Sequence, residues 1–451
     1  MPTAFLYLFV MLAVICLWFL LLKRPIYESI FVAFIVLVAI TGTWGEFWGF
    51  VQTGLKTSLL YSMLVFVALS VILTKTKILD SAIAIVLALF GRVTGGAGYA
   101  AVVASSFLGA LSGSGPGNVM ATGTLTIPAM KRSGFPAELA ANIESTSSYL
   151  GNMIPPSANI VAALTAFLTV YPDNTMTTSE FWIICWGVSL WFILHRLLMV
   201  FVFCKTYHVE RMKKEDIPSL KETLKTGWKG LLLPIIIILP FVLDYFFKAT
   251  FFTERLGAGA SNFSSSILYF IAGVTAIVAV LLVKDKKTVT PNKIAKMMGD
   301  SVKTITPAIA ACIFGYMIGA IFTSIGVSDE LKVFIEGLNM GKIGLCFLLP
   351  ALTCFMTMLI PGSSVVVLFG PIFIQLLAAV GVNPLLAAAM LPCMCGVTSG
   401  MTPPLALGMY AGMSLAESDF DKTVKNDLWW LVTHYALEVI TLLGLLPILG
   451  L

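Results

Sequence analysis

Apolar runs long enough to cross a bilayer recur from one end of this chain to the other, and nothing else about it restricts the fold so tightly. A hydrocarbon core of about 30 Å takes roughly 20 residues of helix. The stretches 4–22, 27–44, 57–74, 181–204, 230–247, 266–283, 304–325, 343–360 and 428–450 meet that length. Charged residues make up 11% of the chain and hydrophobic ones 58%, against about 25% and about 45–50% in soluble domains. Mean hydropathy is +0.96. A soluble enzyme, a disordered chain, a disulfide scaffold and a nucleic-acid binder are all excluded. The expected class is an all-α polytopic membrane protein with about 11–13 helical passages or half-passages.

The few charges orient it. Seven Lys/Arg fall in 205–229 and five in 284–296, whereas the intervening loop 248–265 holds only Lys248 and Arg255. Two spans separate the basic loops, so both can face the cytoplasm, as retention of basic residues on that side requires. The net charge of +5 therefore speaks of topology rather than of an acidic partner. Ile217–Gly230 and Pro291–Val302 are amphipathic and are expected to lie along the interface as arms. Ala4 to Leu22 has no small-residue cleavage site behind it and is expected to stay as a span. The eight cysteines lie almost entirely in apolar runs, and Cys393 and Cys395, with one residue between them, match no common zinc or redox spacing.

Three regions, 80–110, 112–172 and 362–416, are apolar yet cut by Gly, Pro, Ser and Thr too often for plain spans, and two of the cuts match. Ser112-Gly-Ser-Gly-Pro-Gly-Asn118 opens a helix, Pro136 begins another and Pro155-Pro156 breaks it; Pro361-Gly-Ser-Ser364, Pro384 and Pro403-Pro404 repeat the order. Pro136 to Pro155 and Pro384 to Pro403 each span 19 residues, at an offset of 248. Gly/Pro-interrupted apolar segments at corresponding positions of two halves mark the binding site of a secondary transporter. Unwound backbone survives in a bilayer only where it is buried in protein or lines a wet cavity. There, carbonyls and hydroxyls supply hard oxygen ligands for a small cation, and the next helix N-terminus faces an anion. Pro116, Pro156 and Pro404 suit a first helical turn. Each motif also has a plainer use: Ser-Gly-Ser-Gly as close helix packing, Asn118 and Thr122 as internally bonded side chains, Thr402-Pro-Pro404 as a bare kink.

These residues carry a resemblance. Gly109–Met130 (GALSGSGPGNVMATGTLTIPAM), Gly151-Asn-Met-Ile-Pro-Pro156 and Gly400-Met-Thr-Pro-Pro-Leu-Ala-Leu-Gly-Met-Tyr-Ala-Gly412 resemble the large membrane subunit of TRAP (tripartite ATP-independent periplasmic) transporters. Asn118–Pro128 and Glu144 are most similar to the TAXI branch, and Arg24-Pro-Ile26, Arg92–Gly98 and Thr304–Gly326 fit as flanks.

The resemblance implies an inverted-repeat, elevator-type carrier with two re-entrant helical hairpins. In such a carrier 1–80 would be N-terminal scaffold, 81–172 the first transport repeat, and 173–303 scaffold with cytoplasmic arms. The second repeat would be 304–416, and 417–451 a C-terminal helix. It implies Na⁺- or H⁺-coupled symport of an organic acid in a bacterial inner membrane, with a separate small four-helix membrane subunit and an extracytoplasmic binding protein as partners. It implies no enzymatic cofactor. The helix breaks then nominate Ser112, Ser114, Asn118, Ser363, Ser364 and Thr402 as Na⁺ ligands, and Gly115, Pro155, Pro156, Gly362, Pro403 and Pro404 as the substrate-facing breaks.

Intramembrane ionisable residues are functional by default. Glu144, 11 residues before Pro155, is a proton or cation site, or else faces a wet crevice or pairs with Lys131 or Arg132. His195 and Arg196 are expected to snorkel to the interface, and Asp244, near a span end, to play no special part. A binding-protein-independent dicarboxylate or citrate carrier is the competing function. With three histidines in all, no His-Glu-x-x-His, no paired intramembrane aspartates and no phosphate loop, an intramembrane enzyme and an ATP-driven pump find no support.

Overall fold

The computed structural model describes residues 3–451 apart from 57–60, 62–64, 66–68, 70–71, 74–75, 77–79, 113–114, 258, 284–286, 288, 328–329, 331–332, 334–336, 338–339 and 404–405. Ser114 and Pro404, and most of the expected span 57–74, lie outside the described residues. The described residues are helical throughout, with one isolated β-bridge between Thr94 and Arg211.

The first half runs α1 (Thr3–Cys16), α2 (Ile26–Thr41), α3 (Phe47–Lys56), α4 (Asp80–Phe90), α5 (Gly96–Ser112), α6 (Gly115–Arg132), α7 (Ala137–Leu150) and α8 (Ala158–Val170). The long α9 (Thr178–Thr206) leads to α10 (Leu220–Gly227), α11 (Leu232–Phe247), the single turn α12 (Thr253–Leu256) and α13 (Gly259–Leu282). The second half is α14 (Pro291–Ser324), α15 (Lys342–Leu359), α16 (Gly362–Ala379), α17 (Pro384–Leu391), α18 (Leu407–Ala416) and α19 (Phe420–Leu442).

Local chemistry sets these ends. Thr177 caps α9 with a reciprocal capping box to Glu180, Pro291 starts α14, and Asn383 caps α17 one residue before Pro384. Among the described residues α9, Trp228–Phe247 and α16 are each long and apolar enough to cross a membrane. The pair Ala137–Met153 and Ala158–Val170, bent by 40°, makes a fourth. Shorter apolar helices of 10–17 residues lie in the broken regions, and also at Leu6–Phe19, Ile26–Thr41, Phe270–Leu282, Ile309–Ser324 and Lys342–Met358, where full-length spans were expected.

Three boundaries differ from expectation. Pro291–Val302 does not form a separate arm; it runs straight into the following span as one 34-residue helix. The second arm is a short α10 followed by a 3₁₀ turn, Trp228–Leu231. The last helix begins at Phe420, under an Asp419 cap, and stops at Leu442, because Gly444 takes a positive φ of 78° and Pro447 follows.

Two packing groups place the site. Helix α7, buried from Leu139 to Leu150, is enclosed by α5, α6, α18 and α19. Helix α16 lies against α8, α14, α15 and α17, while α14 also packs on α2 and α3. The halves interlock, since α18 of the second packs on α6 and α7 of the first, and α8 of the first packs on α16 and α17 of the second.

Candidate functional site: two helix breaks in contact

At the first break α7 tightens into a 3₁₀ turn, Gly151–Met153; Ile154 is extended, and the Pro155–Pro156 peptide is cis. Ser157, not Pro156, is the N-cap of α8, and its side chain accepts from the Asn159 N–H at 3.2 Å. Pro156 therefore sits outside the first helical turn, whereas Pro116 lies inside that of α6 as expected.

The second break is longer. Pro392 has no N–H to give to the carbonyl four residues back, and the chain widens into a π-helix, Pro392–Val397, then tightens to 3₁₀ over Thr398–Gly400. Hydroxyls occupy the carbonyls: Thr398 Oγ1 donates to Met394 O, Ser399 Oγ to Gly396 O at 2.9 Å, and Thr402 Oγ1 to Thr398 O at 3.1 Å. Thr357 of α15 meets Thr402 Oγ1 at 3.3 Å.

The two breaks touch. The 3₁₀ turn of the first packs on the π-helix of the second, and Asn152 Nδ2 donates to Gly396 O at 2.8 Å. A single ring, that of Tyr149, fills the space between them. A Cβ at Gly115 would stand 2.4 Å from it, at Gly400 2.4 Å and at Gly408 2.2 Å. Only glycine permits three backbones to approach one aromatic ring so closely. At the other hairpin, a Cβ at Gly362 would lie 2.0 Å from Cys395 O, so Pro361-Gly362 rests on the second break.

The nominated residues divide. Asn118, Ser364 and Thr402 are buried, Ser363 is exposed, and Pro361 and Pro403 are half-buried. Ser112 is the last residue of α5. Asn118 spends its amide N–H groups on Ser105 O at 2.8 Å and Ser148 Oγ at 2.9 Å.

Glu144 is fully buried in a cage of hydroxyls. Thr122 and Thr126 Oγ1 donate to its two oxygens, Ser105 Oγ reaches Oε1 at 2.7 Å, and Ser148 Oγ at 3.0 Å. Asn118, Thr122 and Thr126 recur every four residues and so line one stripe of α6. The expected alternative partners are engaged elsewhere: Lys131 Nζ donates to Ala416 O at 2.8 Å, and Arg132 pairs with Asp216 at 2.9 Å.

Arg196 does not snorkel. It is fully buried, with Nη2 at 3.2 Å from His434 Nδ1, Nη1 at 2.7 Å from His195 Nδ1, and its guanidinium 5.3 Å from the centre of the Trp430 ring. Its guanidinium is enclosed by side chains of α9, α19 and the second break and is sealed from the protein surface. Asp244 is also buried, accepting from Ser264 Oγ at 2.5 Å. Cys393 is more than an apolar side chain in an apolar run: it lies 3.5 Å from His434 Nε2 and 3.6 Å from Glu438 Oε1. Sequence reasoning missed His434 and Glu438; their i,i+4 spacing on one helix face was the available sign. It also missed Tyr149.

A cleft of about 570 Å³ opens between α3, α14, α8 and α16, lined by Phe50, Thr53, Thr165, Thr169, Tyr316 and Val367 among others. It takes in none of the nominated ion ligands.

A lattice of half-helices, hairpins and touching breaks defines an all-helical membrane transporter. The crystal structure of the Alcanivorax borkumensis YdaH transporter and the structure of Neisseria gonorrhoeae MtrF, the latter described as illuminating a class of antimetabolite efflux pumps, share this fold. YdaH superposes with a TM-score of 0.60 at 16% identity, covering 90% of this chain and 88% of its own; MtrF gives 0.61 at 14%, covering 90% and 84%. Sequence narrows the class. Residues 4–447 match the family described as "Tripartite ATP-independent periplasmic transporter, DctM component", and the chain belongs to that family: it is a multi-pass transporter permease, not an enzyme. Among curated relatives, the C4-dicarboxylate TRAP transporter large permease protein DctM of Pseudomonas aeruginosa is 26% identical over 354 residues, 76% of this chain and 74% of the relative. The sialic acid TRAP transporter large permease protein SiaM of Vibrio cholerae is 20% identical over 365 residues, 80% and 77%.

Proposed function

We propose that this chain is the permease of a secondary-active symporter that carries an organic acid across a bacterial inner membrane on a Na⁺ or H⁺ gradient. The observation that carries this reading is the contact of the two helix breaks through Asn152, Gly396 and Tyr149. It brings hydroxyls and unwound carbonyls, suited to a small cation, beside helix N-termini suited to a carboxylate. In this reading Ser112, Ser114, Asn118, Ser363, Ser364 and Thr402 contribute to cation binding, the breaks at Gly115, Pro155–Pro156, Gly362 and Pro403–Pro404 face substrate, and Glu144 is a proton site. Residues 81–172 and 304–416 form a transport domain that slides as an elevator against 1–80, 173–303 and 417–451; the cleft between α3 and α8 lies on that boundary.

The partners are a small four-helix membrane subunit and an extracytoplasmic binding protein, in keeping with a family named for three components. The acid is a carboxylate, as the printed names of relatives for C4-dicarboxylates and sialic acid suggest. Asn118–Pro128 and Glu144 favour the TAXI branch. The test is reconstitution in liposomes with both partners and Na⁺ and H⁺ gradients imposed separately. Uptake that needs the binding protein and follows one gradient is expected. Uptake without the binding protein would instead make the chain a self-sufficient dicarboxylate or citrate carrier.

A further inference from the structure

We propose that the buried cluster behind the second break is a proton-binding site in which Glu438 takes up the proton and Arg196 is the fixed counter-cation. The direction of its hydrogen bonds follows from donor chemistry. A guanidinium has only donors, so His434 Nδ1, 3.2 Å from Arg196 Nη2, must accept. The hydrogen of the neutral imidazole is thereby placed on Nε2, which faces Glu438 Oε1 at 3.3 Å. Cys393 Sγ donates to the same oxygen at 3.6 Å. The other carboxyl oxygen, Oε2, is buried with no hydrogen-bond partner among the described residues, as is Oδ2 of Asp427.

Charge counting then calls for one proton. Arg196 stays cationic, the two imidazoles are neutral, and Asp427 and Glu438 are both buried carboxyls. With both ionised the cluster carries a net negative charge out of water, which is costly unless compensated. One proton makes it neutral. Asp427 receives the Asn142 amide N–H at 3.3 Å, a donor that favours its ionised form. Glu438 is reached from Arg196 only through the imidazole, so the proton belongs on Glu438. The remaining titratable groups within its electrostatic reach are Cys395 on the π-helix, Cys354 on α15 and Tyr435 on α19. None of them is a second fixed cation.

The triad Cys393, His434 and Glu438 also has the ligand types of a metal site. A metal on Nε2 would force the imidazole hydrogen onto Nδ1, against a donor of Arg196 3.2 Å away. The structure therefore favours the proton. It also ties the proton to the break, because Cys393 sits in the π-helix and Arg196 Nη2 reaches Met401 Sδ at 3.8 Å, next to Thr402.

The experiment is infrared difference spectroscopy of the full chain in lipid nanodiscs, titrated upward from neutral pH, where exposed carboxyls are already ionised. This readout needs no partner, substrate or gradient, so it stands or falls apart from the transport reading. A carboxylic-acid carbonyl band that vanishes on adding alkali should be present in the wild type and kept in both Glu144→Gln and Asp427→Asn. It should be missing from Glu438→Gln, and shifted in frequency in Cys393→Ala, which keeps the carboxyl but removes its thiol donor. Persistence of the band in Glu438→Gln, its loss in Asp427→Asn, or an unshifted band in Cys393→Ala would overturn the assignment. So would one equivalent of Zn²⁺ retained through gel filtration by the wild type and lost in Cys393→Ser.

Discussion

The two helix breaks solve the same problem with different means. The first is a three-residue 3₁₀ turn closed by a serine cap, with a carboxyl, Glu144, held wholly by hydroxyls from α5, α6 and α7. The second is nine residues of π- and 3₁₀-helix whose hydroxyls bond back to their own carbonyls, while the charged groups stand behind it on α9 and α19. Neutral donors satisfy a buried carboxyl without importing a second charge to desolvate, whereas the second cluster sets an arginine against two acids. The first site is built from neighbours in sequence and the second from three remote segments, so the breaks differ in how far a local change should spread.

The harshest way to break the comparison is at the ring the breaks share. Gly408→Val should lower uptake by up to about a hundredfold, because even a Cβ there would sit 2.2 Å from Tyr149. Overpacking of about 1–3 kcal/mol corresponds to roughly tenfold or more in rate. Uptake in proteoliposomes checks it, with partial recovery expected when Tyr149→Ala is added.

Next is Glu144→Gln, which turns an acceptor among hydroxyl donors into a group with its own N–H. Losing charge-assisted bonds of about 1.5–3 kcal/mol each should cut uptake by about 10–100-fold and flatten its pH profile. An unchanged rate and pH profile would leave Glu144 without a part in coupling.

A smaller effect is expected from Asn152→Ala, which removes the one bond from Asn152 to Gly396 O. At about 1 kcal/mol it should lower uptake several-fold. Thr402→Ala and Ser364→Ala should raise the half-saturating Na⁺ concentration several-fold if Na⁺ is the coupling ion, and the exposed Ser363 should matter less. Smallest of all is Lys248→Ala, which opens the pair with Glu180 at 3.3 Å, far from both breaks. Such pairs contribute about 0–1 kcal/mol, so uptake should stay near wild type and the melting temperature move little.

Much of the first break was legible in the chain itself. The 19-residue proline spacing, the Gly-rich opening at Ser112 and the four-residue stripe Asn118, Thr122, Thr126 are all local, whereas a lone proline is a weaker sign, since Pro128, Pro240, Pro350 and Pro371 sit inside helices that continue. What escaped was nonlocal. Nothing near Arg196 announces a histidine on α19, and hydropathy alone makes an arginine in a 29-residue helix look like a snorkelling side chain. Tyr149 reads as one more apolar residue until Gly115, Gly400 and Gly408 are brought around it. The continuous α14 escaped because a polar first half and an apolar second half, with Gly299 and Pro307 near their join, look like two elements, yet the helix runs through both.

The most direct trial of the account is a cysteine pair at positions 152 and 396 in a background cleared of native cysteines. A Cβ at Gly396 would lie 3.1 Å from that of Asn152, within a few tenths of an ångström of the separation a disulfide spans, about 3.5–4.5 Å. Oxidation in native membranes should join Asn152→Cys to Gly396→Cys and protect both from alkylation, with or without an ion gradient. Two freely alkylated thiols that no oxidant can join would mean that the breaks do not meet.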